Sequence, residues 1–203
     1  MEFWNSELTE RSWKLLQELQ KEEFDFIIIG GWAAYLWTHQ HKSRDIDIII
    51  PDYNELEILK KKYVLNKNDS LKKYEVHFGE IDLDIYLPHY SKLALAPEIA
   101  IQHTSHVEGF KVVKPEVLLI LKQGAEFDRG KSVKGQKDRI DIMTLLLYGN
   151  PDLKSYHTLL RENKLGDYRQ RLKSIILSFS DVQHVGLSVH EYAKKKRELL
   201  QKI

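Results

Sequence analysis

The chain contains no cysteine, few methionines and prolines (2 and 5), and almost no net charge. Without thiols it can build neither a disulfide framework nor a thiolate metal site, so a reducing compartment, the cytoplasm, is the expected setting. Lys and Arg total 31 against 30 Asp and Glu, which argues against a chain-wide basic surface for nucleic acid or for an anionic membrane. Any anionic substrate would have to be caught by a local cluster. Long apolar runs are missing too: Ile46 to Pro51 is interrupted by Asp47 and falls far short of the roughly 20 residues of a membrane helix. Met1 to Lys21 does not read as a secretory leader, because Glu2, Glu7, Glu10, Arg11 and Lys14 punctuate it. Repeats and low-complexity stretches are absent, and the abundance of Ile, Lys and Glu leans towards thermophile usage. What is present, 203 residues that are 42% hydrophobic and 30% charged, suffices for a real core in one domain or two small ones.

Hydrophobic period and turn residues divide the chain into an α/β half and a helical half that meet near residue 114. Leu8, Trp13, Leu15, Leu16 and Leu19 fall at helical spacing, with Ser6 or Thr9 as the cap. Phe24 to Ile29 reads as a buried strand ending at Gly30-Gly31, and Trp32 to Trp37 as a second helix. Asp45 to Ile50 alternates acid with isoleucine, a strand pattern that sets Asp45 and Asp47 on one face. Asn54 could cap a helix over Glu55 to Tyr63, and Tyr74 to Phe78 with Glu80 to Leu87 form a hairpin turning near Gly79. Ile99 to His103 and Phe110 to Val113 read as two further short strands. From Pro115 the pattern turns helical, with an apolar face up to Gly124 and further helices over Asp138 to Tyr148, Leu153 to Asn163, Tyr168 to Phe179 and His190 to Ile203.

The informative stretch is Gly30-Gly31, thirteen residues, then Asp45-Ile46-Asp47. A strand that ends in paired glycines and feeds a helix exposes backbone N–H groups at the helix's positive end, which suits a triphosphate. Two carboxylates two residues apart on the next strand are hard oxygen donors, suited to Mg²⁺ rather than zinc, and would repel one another without a cation. A two-metal clamp needs a third acid. Glu80, Asp82 and Asp84 alternate with Ile81, Leu83 and Ile85, so all three are candidates; Asp84 is favoured, with Asp82 as the alternative third ligand.

Gly30-Gly31, Asp45-Ile46-Asp47 and Asp82-Leu83-Asp84-Ile85 together resemble the nucleotidyltransferase superfamily, whose fold is that of DNA polymerase β. Gly-Gly-Trp-Ala-Ala-Tyr followed by Lys42-Ser43-Arg44-Asp45-Ile46-Asp47 is similar to small prokaryotic members, among them abortive-infection toxins of toxin-antitoxin systems and antibiotic nucleotidyltransferases. The resemblance implies a mixed-sheet fold followed by a helical C-terminal half, two Mg²⁺ ions or Mn²⁺ in their place, and an NTP substrate. It implies that Asp45, Asp47 and Asp84 bind metal and perform catalysis, Asp84 also activating the acceptor hydroxyl, and that Gly30, Gly31, Ser43 and Arg44 contact the nucleotide. A looser likeness covers Lys122, Arg129, Lys137, Asp138 and Asp141, where it implies that Lys122 and Lys137 also contact the triphosphate. The pattern departs at His41, where many relatives carry arginine. The acceptor implied is a hydroxyl of a protein, of tRNA or another RNA, or of a small molecule, and the chain could act with a partner protein or as a homo-oligomer.

Each feature also has a plainer reading. A glycine pair after a strand is commonly a turn, and alternating Asp and Ile is what a solvated edge strand shows. Trp32, Tyr35, Leu36 and Trp37 read as core rather than as a base-stacking platform. His39, His41, His103 and His106 lack the spacing of a metal site. Lys122 and Lys137 would otherwise be surface charges, and Lys194 to Arg197 a solvated helix face. Beside a working transferase stands an inactive nucleotide-binding module of the same fold.

Overall fold

The computed structural model describes residues 6–203; residues 1–5, which include Glu2 of the segment read against a leader, lie outside the described residues. The chain divides between Lys114 and Pro115 into two compact units. Among the described residues no helix is long and apolar enough to cross a membrane.

The first unit opens with helix α1 (Glu7–Leu19), held at its start by a capping box in which the Ser6 and Thr9 side chains each bond the other's backbone. Strand β1 (Ile27–Ile29) then runs directly into α2 (Gly30–Thr38). It is shorter than the sequence suggested. β2 (Ile46–Ile49) is followed by α3 (Tyr53–Lys62), whose cap is Asp52 rather than Asn54: one Asp52 oxygen accepts from the backbone N–H groups of Asn54 and Glu55. β3 (Asn66–Asn68) leaves no mark in the hydrophobic pattern, because it is polar throughout and carries neither an apolar alternation nor β-formers. β4 (Lys73–Phe78) and β5 (Ile81–Tyr86) form the expected hairpin about Gly79, which sits at φ +67°.

Ile99 to His103 is not a strand. Pro97 starts a single helical turn, α4 (Pro97–Ala100), and the chain bends on through His103 before β6 (Thr104–Val107) pairs with β7 (Phe110–Val113). Proline's fixed φ suits a first helical turn, and that local preference overrides the β-branched run after it.

Among the described residues, seven strands form one mixed sheet in the order β3-β4-β5-β2-β1-β7-β6. β2 lies antiparallel to β1 and parallel to β5, so the acidic strand and the acid-rich hairpin are immediate neighbours. Ile46, Ile48, Leu83 and Ile85 are fully buried on one side, which fixes the register, since a one-residue slip would turn isoleucines outward and acids inward. Trp32 is likewise fully buried, its indole N–H donating to the Ser12 hydroxyl, and the Trp37 indole N–H donates to the Val113 carbonyl. The aromatics of α2 are therefore packing groups.

The second unit is helical among the described residues: α5 (Pro115–Arg129), α6 (Val133–Tyr148), α7 (Leu153–Glu162), α8 (Asp167–Ser178) and α9 (Val189–Lys202), with a short 3₁₀ turn at Val182–Val185. α5 continues through Gly124, since Gln123 and Glu126 around it are tied down by other elements. α6 starts five residues before the sequence suggested, where Ser132 caps it by accepting from the Gly135 N–H. The core of the second unit includes Tyr156, whose hydroxyl donates to Gln123, and Tyr192, whose hydroxyl donates to the Ile176 carbonyl. Burial raises the pKa of both tyrosines, that of Tyr192 to about 12.

Candidate active site

Parallel pairing of β2 with β5 sets Asp47 directly opposite Asp84, and antiparallel pairing of β5 with β4 sets Asp84 opposite Glu75. Three carboxylates thus stand in one row across three adjacent strands. Asp45 immediately precedes β2 and Glu80 lies exposed in the turn between β4 and β5, so Glu80 drops out of the row. Asp82 is opposite His77 and bonds it at 2.7 Å, which raises the imidazole pKa. Among the three acids considered for the third position, Asp84 is the one facing Asp47.

Gly30 and Gly31 build the adjoining wall. Gly30 has φ +67°, and a Cβ added there would lie 2.7 Å from the Asp47 Cγ and 2.8 Å from its Cβ. A Cβ on Gly31 would lie 2.7 Å from the Cβ of Ser43, which is buried. The glycine pair is more than a turn: its missing side chains make room for Asp47 and Ser43 at the start of α2. Ile29, the residue before that helix, has no side chain able to cap it, which is the condition under which helix N–H groups serve an anion.

Side-chain cations attend the acids. Arg44 bonds Asp45 through Nε at 2.9 Å and through a terminal nitrogen at 3.2 Å, a fork-on-carboxylate geometry, and that bond raises the guanidinium pKa. Lys73, only 9% exposed, places its Nζ 2.5 Å from Asp84 Oδ2 and 2.9 Å from Glu75 Oε1. Burial opposes the Lys73 charge, but the bonds to Asp84 and Glu75 prevail and its pKa ends above the ordinary value. Glu75 is held low by the Lys73 bond. Burial and the neighbouring Asp47 charge push Asp84 up to about 6 against the pull of Lys73.

Among the described residues no group of three or more His, Asp or Glu side chains is arranged to hold a metal ion. The donor set nonetheless suits a hard divalent cation. Asp45, Asp47 and Asp84 offer carboxylate oxygens only, Asp47 and Asp84 adjoin in register, and their mutual repulsion is what such an ion would relieve. Arg44 and Lys73 hold part of that donor set, so an ion there would have to compete with them.

In the second unit Lys122 is buried between Asp138, at 3.3 Å, and Asp141, at 2.5 Å, while Arg129 bonds the other Asp138 oxygen at 2.9 Å. The structure thus brings together four of the five residues of the looser likeness, and Lys122 is a buried ion-pair member, not a surface charge. Lys137 is half-buried on α6. Lys194, Lys195 and Arg197 are exposed on α9, the expected solvated face.

Neither a protein-family model nor a curated protein matches the sequence. Solved structures do match. JHP933 from Helicobacter pylori superposes with a TM-score of 0.53 at 18% identity, over 97% of this chain and 91% of that one. A second H. pylori structure, provisionally described as a nucleotidyltransferase, gives 0.53 at 18% identity, over 97% of this chain and 95% of that one. The chain has the nucleotidyltransferase fold. ANT(2'')-Ia, solved in complex with adenylyl-2''-tobramycin, matches at a TM-score of 0.51 and 15% identity, over 82% of this chain and 99% of that one. At these identities the likeness speaks for the nucleotidyltransferase fold, and the chemistry must be argued from the residues of this chain.

Lys73 and Glu75 escaped the reading of the sequence. The signal was there: with Phe78 paired to Ile81 across the Gly79 turn, the hairpin sets Glu75 against Asp84 and His77 against Asp82. Lysine is depleted in strands, so the residue pattern begins the strand at Tyr74, one residue late.

Proposed function

We propose that this protein is a divalent-metal-dependent nucleotidyltransferase that moves a nucleoside monophosphate from an NTP to a hydroxyl acceptor and releases pyrophosphate. The observation that carries the reading is Asp47 opposite Asp84 on adjacent parallel strands, with Gly30 giving up its side chain to make room for Asp47. Asp45, Asp47 and Asp84 would hold Mg²⁺, or Mn²⁺, which when bound supplies charge neutralisation at the reacting phosphate. The N–H groups of Gly30 and Gly31 would take phosphate oxygens at the start of α2, beside the Ser43 hydroxyl. Arg44, half exposed, would add positive charge at the departing pyrophosphate. In the transfer the acceptor oxygen bonds the α-phosphorus as the bond to the bridging oxygen breaks. The acceptor's proton would pass to the Asp84 carboxylate oxygen that the ion leaves free.

The test is transfer from α-labelled ATP, GTP, CTP and UTP with Mg²⁺ to pooled protein, RNA and polyhydroxylated small molecules, with pyrophosphate release followed in parallel. Asp47→Ala and Asp84→Asn should each abolish both signals while keeping the fold. Absence of label and pyrophosphate from the wild-type protein across all three pools would sink the reading. A toxin role, for which the likeness to abortive-infection toxins speaks, predicts growth arrest on induction that Asp47→Ala removes.

The pairing of Arg44 with Asp45 and of Lys73 with Asp84 favours a second reading, a nucleotide-binding module of the same fold without turnover. It predicts NTP binding by calorimetry that is indifferent to Mg²⁺, whereas the transferase needs the ion.

A further inference from the structure

Lys73 lies against the acid row at Asp84 and Glu75. Its ammonium bridges Asp84 and Glu75, which face each other across β5 and β4, and both carboxylates are largely shielded, their side chains 16% and 20% exposed. A lysine two residues along the partner strand reaches such a pair diagonally, as cross-strand neighbours on one face do. Glu75 has a second support, since the Asn68 side-chain amide donates to it at 3.3 Å. Asp84 has the opposite surroundings: it adjoins Asp47, a like charge, on its other side. Of the two acids, Glu75 keeps good company if the lysine leaves Asp84, and Asp84 is the one with something to gain from a stronger cation.

We propose that Lys73 is a resident counter-ion of the candidate metal site, neutralising Asp84 when no divalent ion is bound and withdrawing to Glu75 when one enters between Asp47 and Asp84. The inference rests on the metal-site reading given above. Lys73 is a positioning residue in this scheme: it touches neither nucleotide nor acceptor and acts through Asp84. Its ammonium and the incoming ion compete for the same oxygen, so it lowers metal affinity while protecting the metal-free fold. Glu75 does the reverse, because it offers the displaced ammonium a partner. The two side chains therefore oppose one another in metal binding although both belong to a single ion-pair cluster, an outcome that a merely structural pair would not give.

The experiment is Mg²⁺ and Mn²⁺ titration of the nucleotide-free full chain at pH 8, by calorimetry and by Mn²⁺ electron paramagnetic resonance, with metal-free melting temperatures alongside. Lys73→Met keeps the apolar stem and removes the charge; it should melt lower without metal yet bind either ion roughly tenfold more tightly, the scale of one charge-assisted hydrogen bond. Glu75→Gln should bind several-fold more weakly, and in the Lys73→Met background that effect should vanish, because Glu75 acts through the lysine. Equal affinities across wild type and both variants, or weaker binding by Lys73→Met, overturn the proposal and leave the metal site standing. If no chain binds either ion, the proposal and the metal-site reading fall together. Should Lys73→Met fail to fold, Glu75→Gln decides alone: unchanged or tighter binding refutes the scheme.

Discussion

Alanine at Gly30 should be far more costly than alanine at Gly79, although both glycines sit at φ +67°. An L-residue in that left-handed region costs about 1–2 kcal/mol, and the cost applies equally at the two sites. So does the small gain from restricting the unfolded chain, about 0.4–1 kcal/mol, which cancels in the comparison. The difference comes from the surroundings. A Cβ at Gly79 meets nothing within 4 Å, whereas one at Gly30 stands 2.7 Å from the Asp47 Cγ, so the β2 backbone or the Asp47 rotamer must move. Overpacking of that kind costs about 1–3 kcal/mol, so Gly30→Ala should exceed Gly79→Ala by about that amount. All four tryptophans, at positions 4, 13, 32 and 37, precede residue 114, so their fluorescence in a urea titration reads the first unit alone. In an Asp47→Ala background, where the Cγ and carboxylate are gone, the excess should shrink. Equal penalties at Gly30 and Gly79, or an excess untouched by Asp47→Ala, would refute the claim that Gly30 exists to admit Asp47.

Three more outcomes are expected. Lys122→Met strands Asp141 and leaves Asp138 to Arg129 alone, both acid side chains being 2% exposed, and should destabilise the helical unit by about 3–5 kcal/mol, read as lost hydrogen-exchange protection in α5 and α6. Asp47→Asn removes the like charge beside Asp84 and should stabilise the metal-free first unit by roughly 1 kcal/mol in urea while abolishing nucleotide transfer, so a loss of both would count against the site. Tyr156 and Tyr192 stay neutral in the fold above the pH at which they ionise when unfolded, so their contribution is complete below about pH 10 and is lost as pH rises from there towards 12. Tyr156→Phe should lessen that loss; a melting temperature flat across the window, or a loss that Tyr156→Phe leaves undiminished as general alkaline unfolding would, refutes the claim.

Much of the first unit could be read from the sequence because period and punctuation agree there. The isoleucines of β2 and β5 alternate with acids, a glycine pair marks the strand-to-helix passage, and Gly79 marks the hairpin, so the acids could be assigned to faces with no structure in hand. Which acid faces Asp47 could not be read, since that depends on the offset between two parallel strands joined by a helix, β3 and β4, and no local rule sets such an offset. Pairing Ile46 with Leu83 decides it in favour of Asp84; a shift of two residues would have kept every isoleucine buried and chosen Asp82. Local preference also misled at Ile99 to His103, where β-branched residues signalled a strand and Pro97 had already begun a helical turn.

The acid row explains why a cation stands at Lys73. Asp47 lies far along the chain from the hairpin that carries Glu75 and Asp84 and becomes its neighbour only in the folded sheet, so the repulsion between Asp47 and Asp84 is a property of the fold and not of any segment. A compensating cation must then be supplied from within the same face, and β4 is the strand whose face is shared by Glu75 and reaches Asp84 diagonally. Arg44 serves the other end, where Asp45 precedes β2 and the chain is still free enough for a neighbouring residue to fold back on it. The two cations differ accordingly. Arg44 is half exposed and screened by solvent, so its bond to Asp45 is weak and readily exchanged; Lys73 is enclosed, so its bond to Asp84 is the one that any ion entering the site has to outcompete.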